Sequence, residues 1–134
     1  MRLTAILCLL ALPAAADVQT AVDNHILPGH ARLVAETSAL ANTAAVDCNP
    51  EAVRPALHAA WDAWVSISHI QFGPLEDQAL SLSMSFWPDP KDSTGKALAR
   101  LTAQQDKVVD DPDEFSAASA AVQGFPALER GLYD

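Results

Sequence analysis

Hydrophobic residues recur at three- and four-residue steps along most of this chain, and the helices they predict are separated by proline and glycine. From Asp17 to about Ala45, Val18, Val22, Ile26, Leu33 and Leu40 form one stripe with alanine between, which predicts a long helix. Pro28-Gly29 interrupts it and predicts a kink or break, because proline removes a backbone donor. His25 and His30 flank that break. His25 falls near the inner stripe, seven residues after Val18, where an imidazole is either hydrogen-bonded within the core or a ligand. His30 is placed on the solvent side.

Asp47-Cys48-Asn49-Pro50 is a connector, with Asn49 as cap of the next helix and Pro50 at its first position. That helix is predicted to run to about Gln71, with Val53, Leu57, Ala60, Trp64 and Ile67 as its core face. A second stripe carries His58, Asp62, Val65, His69 and Phe72. His58 and Asp62 are one turn apart and His69 lies two turns further, so a metal would reach two of them. No HExxH or CxxC spacing accompanies them, and a solvated or inter-helix polar edge is the commoner meaning of such a stripe. Trp61 and Trp64 are read as packing residues.

Gly73-Pro74 ends that helix. Leu80 to Phe86 then alternates with period two, which locally reads as a strand. Trp87-Pro88-Asp89-Pro90 is a rigid loop, because each proline restricts the residue before it; it either lines a site or plugs the bundle end, the plug being the preferred reading. Ser93 or Thr94 is expected to cap a third helix with Leu98 and Leu101 inward, ending before Val108. Asp106, Asp110, Asp111, Asp113 and Glu114 form an acidic run without the turn glycine of a calcium loop, and read as helix-capping charge.

The stretch from Asp111 to Asp134 carries the most information. Asp111 suits an N-cap, Pro112 the first helical position, and Glu114 a capping box. Phe115, Ala118, Val122, Phe125 and Leu132 share one helical face, and Glu129 falls on that same face. A carboxylate on an apolar stripe is costly to bury unless it is hydrogen-bonded, bound to a metal, or paired with a cation such as Arg130, Arg32 or Arg54. Alternatively the helix kinks at Gly124-Phe125-Pro126, the stripe rotates, and Glu129 is solvated.

Met1 to Ala16 combines one Arg, an apolar run and small residues, the pattern of a cleaved secretory leader, with cleavage expected after Ala16 and export to the periplasm. The run is too short for a membrane span. Asp17 to Asp134 is long enough for one modest core. The net charge is −9, and losing Arg2 with the leader makes the remainder more acidic still. Such a chain is a poor partner for nucleic acid, whose binding rests on cationic contacts to phosphate. Cys48 is then the one remaining cysteine, either buried or paired outside this sequence.

Gly124-Phe125-Pro126-Ala127-Leu128-Glu129, followed by Arg130-Gly131-Leu132-Tyr133-Asp134, resembles the segment around the GxHxxE motif of the imelysin family. Ile26-Leu27-Pro28, Ala59-Ala60-Trp61, and Phe72-Gly73-Pro74 followed by Phe86-Trp87-Pro88-Asp89 resemble further family segments in the same order, along nearly all of the chain after the leader. The resemblance implies an all-α fold, here a four-helix, up-and-down antiparallel bundle with an irregular third connection. It also implies that residues 17–134 are a truncated part of a longer family domain, the first of its two related bundles. In a helical fold, Leu80 to Phe86 becomes an extended segment or a short distorted helix packing Leu80, Leu82, Met84 and Phe86 inward.

Imelysin-like proteins are bacterial envelope proteins classed as metallopeptidases and linked to iron uptake. The resemblance therefore implies iron or zinc as cofactor and iron-transport components of the cell envelope as partners. Gly124, Pro126 and Glu129 occupy the motif positions, and Glu129, His25, His69 and Asp62 are the candidate metal or ligand residues. Where the motif has His, this chain has Pro126, which puts hydrolysis in doubt. The leading expectation is a periplasmic binding or accessory protein in iron acquisition. A metal-dependent peptidase and a non-enzymatic interaction module are the alternatives.

Overall fold

Asp17 starts the first helix. Its carboxylate accepts from the Thr20 hydroxyl (2.7 Å) and the Gln19 N–H (3.0 Å), which holds its pKa below the ordinary carboxylate value. The computed structural model describes residues 17–104 and 107–134. The leader read over Met1 to Ala16, and Asp106 of the acidic run, lie outside them. Helix α1 (Val18–Ala21) passes through a five-residue π turn, Val22–Ile26, into α2 (Leu27–Val46). Pro28 does not break the helical run; it lies in the first turn of α2. The distortion lies just ahead of it, where a widened turn accommodates a residue that has no N–H to give and whose ring would crowd the preceding turn.

Asn49 caps α3 (Pro50–Ile67) by accepting from the Glu51 N–H at 3.0 Å, and Pro50 takes the first position. The helix ends at Ile67 rather than near Gln71. α2 and α3 form the principal antiparallel pair. Gly29 lies so close to Ile67 that a Cβ there would overlap the isoleucine side chain, so glycine is what lets the two backbones approach. The core face of α3 is as expected: Val53, Leu57, Ala60, Trp64 and Ile67 are buried, together with Leu40, Ile70 and Phe125. Leu57 and Ile67 are completely enclosed, each stabilising the fold by roughly 1.5–3 kcal/mol through burial. Of the expected stripe on the first helix only Leu40 is buried; Ile26 and Leu33 are partly covered, and Val18 is 76% exposed. His30 is not on the solvent side: it is half-buried, and its Nδ1 meets the Ile26 carbonyl at 2.8 Å.

After Gly73 come two single turns, α4 (Pro74–Asp77) and α5 (Leu80–Met84). The alternation from Leu80 to Phe86 is therefore a short helix and not a strand, and it turns Leu80 and Leu82 outward while Met84 and Phe86 are half-buried. Helix α6 (Ser93–Gln104) follows the Trp87-Pro88 loop, and a 3-10 turn, Lys107–Asp110, leads to α7 (Pro112–Ser116). Asp111 caps α7, accepting from the N–H groups of Asp113 and Glu114.

The single helical face expected from Phe115 to Leu132 is broken. α7 stops at Ser116, Ser119 caps a 3-10 turn (Ala120–Val122), and α8 (Gly124–Tyr133) starts afresh. The Gln123 side-chain amide donates to the carbonyls of Phe115, Ser116 and Ala118, satisfying acceptors that a continuing helix would have used. Gly124 has φ +72°, and a Cβ there would overlap the Ser83 and Met84 carbonyl oxygens. The chain is all-α, an antiparallel helical bundle whose long members are α2, α3, α6 and α8, with no strand among the described residues.

Candidate functional site

The break at Gly124 sets the geometry of the segment that follows it. Phe125 turns inward, 3% exposed, and its ring lies nearly parallel to that of Trp61 on α3 with centroids 5.6 Å apart. Pro126 and Glu129, three residues apart on α8, then face a cavity of about 290 Å³ that Trp61, Phe86 and Trp87 also line. Segments that are far apart in sequence, Ala59-Ala60-Trp61, Phe86-Trp87-Pro88-Asp89 and Gly124 to Glu129, thus converge on one place. The Trp87-Pro88 peptide is cis, and Trp87 is 78% exposed at the cavity. The loop lines this cavity through Trp87 and Asp89.

Asp89 and Arg130 complete the rim, and both are engaged. Asp89 accepts the Ser93 N–H on Oδ1 (2.7 Å) and the Thr94 N–H on Oδ2 (2.8 Å). Ser93 and Thr94 therefore do not cap α6; Asp89 does, from four and five residues upstream. Those two donors, Thr94 first, pull the Asp89 pKa from 3.8 down to about 2. Thr94 is buried at the cavity wall; its hydroxyl adds only weakly to that depression and forms no hydrogen bond of ordinary geometry. Arg130 bonds Asp134 (2.9 Å) and Asp92 (2.6 Å); these contacts, Asp134 first, raise its pKa above the ordinary guanidinium value.

Glu129 is exposed and makes no hydrogen bond or ion pair among the described residues. Of the alternatives open from sequence, the rotated stripe with a solvated carboxylate is the one seen. The cations considered as its partners are placed elsewhere. Arg54 donates to the Leu132 carbonyl through Nε (3.0 Å) and Nη2 (2.5 Å), pairs with Glu51, and lies over the Tyr133 ring at 4.3 Å. Arg130 points to Asp92 and Asp134, and Arg32 is exposed on α2.

The remaining candidates lie outside this cavity. His25, in the π turn, and His69, just beyond α3, meet with their Nε2 atoms 3.1 Å apart. His58, considered beside His69, instead contacts the Tyr133 hydroxyl through Nε2 at 2.8 Å. Asp62 is exposed and unpaired among the described residues. No three His, Cys, Asp or Glu side chains among the described residues stand close enough to hold a metal ion together. Cys48 is exposed and free.

Trp87 and Asp89 were read from sequence as parts of a rigid loop and of a family segment but not as individual site residues, and the Arg130–Asp92 link was not anticipated. The one signal for Asp89 was its place four residues ahead of Ser93, behind nearer residues that looked like better caps. No curated protein and no solved structure matches this chain. A family model described as imelysin matches residues 26–134, from the first residue of Ile26-Leu27-Pro28 to the last residue of the motif segment. The chain belongs to the imelysin family.

Proposed function

We propose that this chain is a cell-envelope binding or accessory protein in iron acquisition, with the cavity beside Glu129 as its ligand site. The observation that carries it is the free Glu129 carboxylate at the rim of a cavity whose other charged groups, Asp89 and Arg130, are committed to hydrogen bonds and ion pairs. An unengaged anion beside Trp61, Phe86 and Trp87 suits a cationic ligand, through charge and through the ring faces. One carboxylate does not coordinate a bare iron ion. The iron would arrive with oxygen ligands of its own, water or a small chelator, and Glu129 would add one more. The leader pattern before Asp17 supports export, and the acidic net charge raises the local concentration of cations.

The residues present do not fit a hydrolytic zinc site. Such a site needs three protein ligands and an open position, whereas Pro126 has no side-chain donor and no three His, Cys, Asp or Glu side chains converge among the described residues. Metal-dependent peptidase chemistry is therefore the weaker reading. A non-enzymatic interaction module has one observation in its favour, an apolar groove of about 800 Å³ between α6 and α8 lined by Leu98, Leu101, Phe115, Val122 and Leu128. Deleting the gene and growing the host under iron limitation tests the proposal. Slower growth, restored by the wild-type gene and not by Glu129→Gln, is expected. Unchanged growth, or full restoration by Glu129→Gln, would overturn it.

A further inference from the structure

We propose that His25 and His69 form a separate binding site for a divalent late first-row transition ion, Ni²⁺, Cu²⁺ or Zn²⁺, which bridges the π turn and the end of α3. Their Nε2 atoms are 3.1 Å apart while the ring centroids are 5.1 Å apart, so both Nε2 atoms lie on the facing edges of the rings. Two N–H groups facing each other at that separation would have no acceptor, so the two nitrogens either share one N–H···N hydrogen bond or both turn lone pairs to a common ion. An ion about 2.05 Å from each nitrogen would see the observed 3.1 Å pair at an angle of about 100°, between square and tetrahedral coordination. Two neutral imidazoles at such an angle suit these ions, with water filling the remaining positions.

The pair is preorganised by the backbone. His25 sits inside the π turn, a distortion of the kind often found at functional sites, and Gly29 one turn later brings α2 directly against Ile67, two residues before His69. Both histidines are exposed, so an ion reaches them from solvent. Neither lines the Glu129 cavity, and the inference does not rest on the function proposed for that cavity.

The test is calorimetric titration of the whole protein, purified without a polyhistidine tag, with NiCl₂ and with ZnCl₂ at pH 7.5. One saturable site per chain is expected. His25→Ala and His69→Ala should each weaken it by at least tenfold, since losing a direct ligand costs no less than losing an outer-shell partner. His30→Ala and Glu129→Gln should leave it unchanged. Binding should weaken as pH falls, because protons compete with the ion for the imidazole lone pairs. Nickel should raise the melting temperature of wild type and not of His69→Ala, because only the folded chain holds the two nitrogens together. No saturable binding, or equal binding by wild type and both single His variants, would overturn the proposal. Loss of binding in Glu129→Gln would overturn the separation of the two sites.

Discussion

The Trp61 and Phe125 rings lie 5.6 Å apart at their centroids with 13° between their planes. That contact clamps the start of α8 onto α3, and the position of Pro126 and Glu129 follows from it. Phe125→Ala removes a ring that is 3% exposed and leaves a hole beside the indole. A loss of about 3–5 kcal/mol is expected, read as a lower urea midpoint at unchanged slope, with a change in tryptophan emission. A loss under about 1 kcal/mol would mean that the clamp is not formed.

Gly124 makes a second prediction. At φ +72° its Cβ position coincides with the carbonyls of Ser83 and Met84. Gly124→Ala meets both the left-handed penalty and the overlap, and should cost at least about 2 kcal/mol. Gly131→Ala, on the same helix with nothing near its Cβ position, should be neutral or mildly stabilising, because alanine favours helix. Urea unfolding of the two variants side by side decides the matter.

A third concerns acid. Asp89 is depressed from 3.8 to about 2 by the Thr94 and Ser93 N–H groups. A folded pKa below the unfolded one gives stabilisation that is complete above the unfolded value and is lost as pH falls toward the folded value. The difference in melting temperature between wild type and Asp89→Asn should therefore be largest near neutrality, shrink as pH drops from about 5 to 2, and close below. A pH-independent difference would show that the carboxylate is not held by those donors.

The Arg130–Asp92 pair joins α8 to the approach of α6, yet both side chains are about half exposed. Asp92→Ala should lower the urea midpoint only slightly, and less in high salt, as surface pairs do. A larger loss, insensitive to salt, would give this link a structural weight that its exposure does not support.

Much of this was legible in the chain. The α3 face of Val53, Leu57, Ala60, Trp64 and Ile67 could be read because burial there follows one uninterrupted helical period. Asn49 and Asp111 could be read as caps because each acts on the next two or three residues. The break at Gly124 was visible only as an alternative, since apolar spacing continues across it; what ends α7 is the Gln123 amide reaching back to three carbonyls. Leu80 to Met84 read locally as a strand because a single helical turn is too short for period to decide, and of the two alternatives left for it in a helical fold the short helix is the one formed. His25 and His69 were each visible as candidates, but their meeting depends on the π turn and on the Gly29 approach, which no local pattern specifies. Glu129 stood on the expected stripe, and the rotation at Gly124 put it in solvent at a cavity assembled from α3, the Trp87 loop and α8.

The most direct measurement is iron binding by wild type and Glu129→Gln, as ferrous ion and as ferric ion presented in a weak oxygen chelator, with thermal unfolding of both proteins alongside. Glu129 is exposed and unpaired, so the substitution should shift stability by no more than about half a kcal/mol while iron binding falls. Unchanged iron binding with an unchanged melting temperature would contradict the assignment of this cavity as the ligand site.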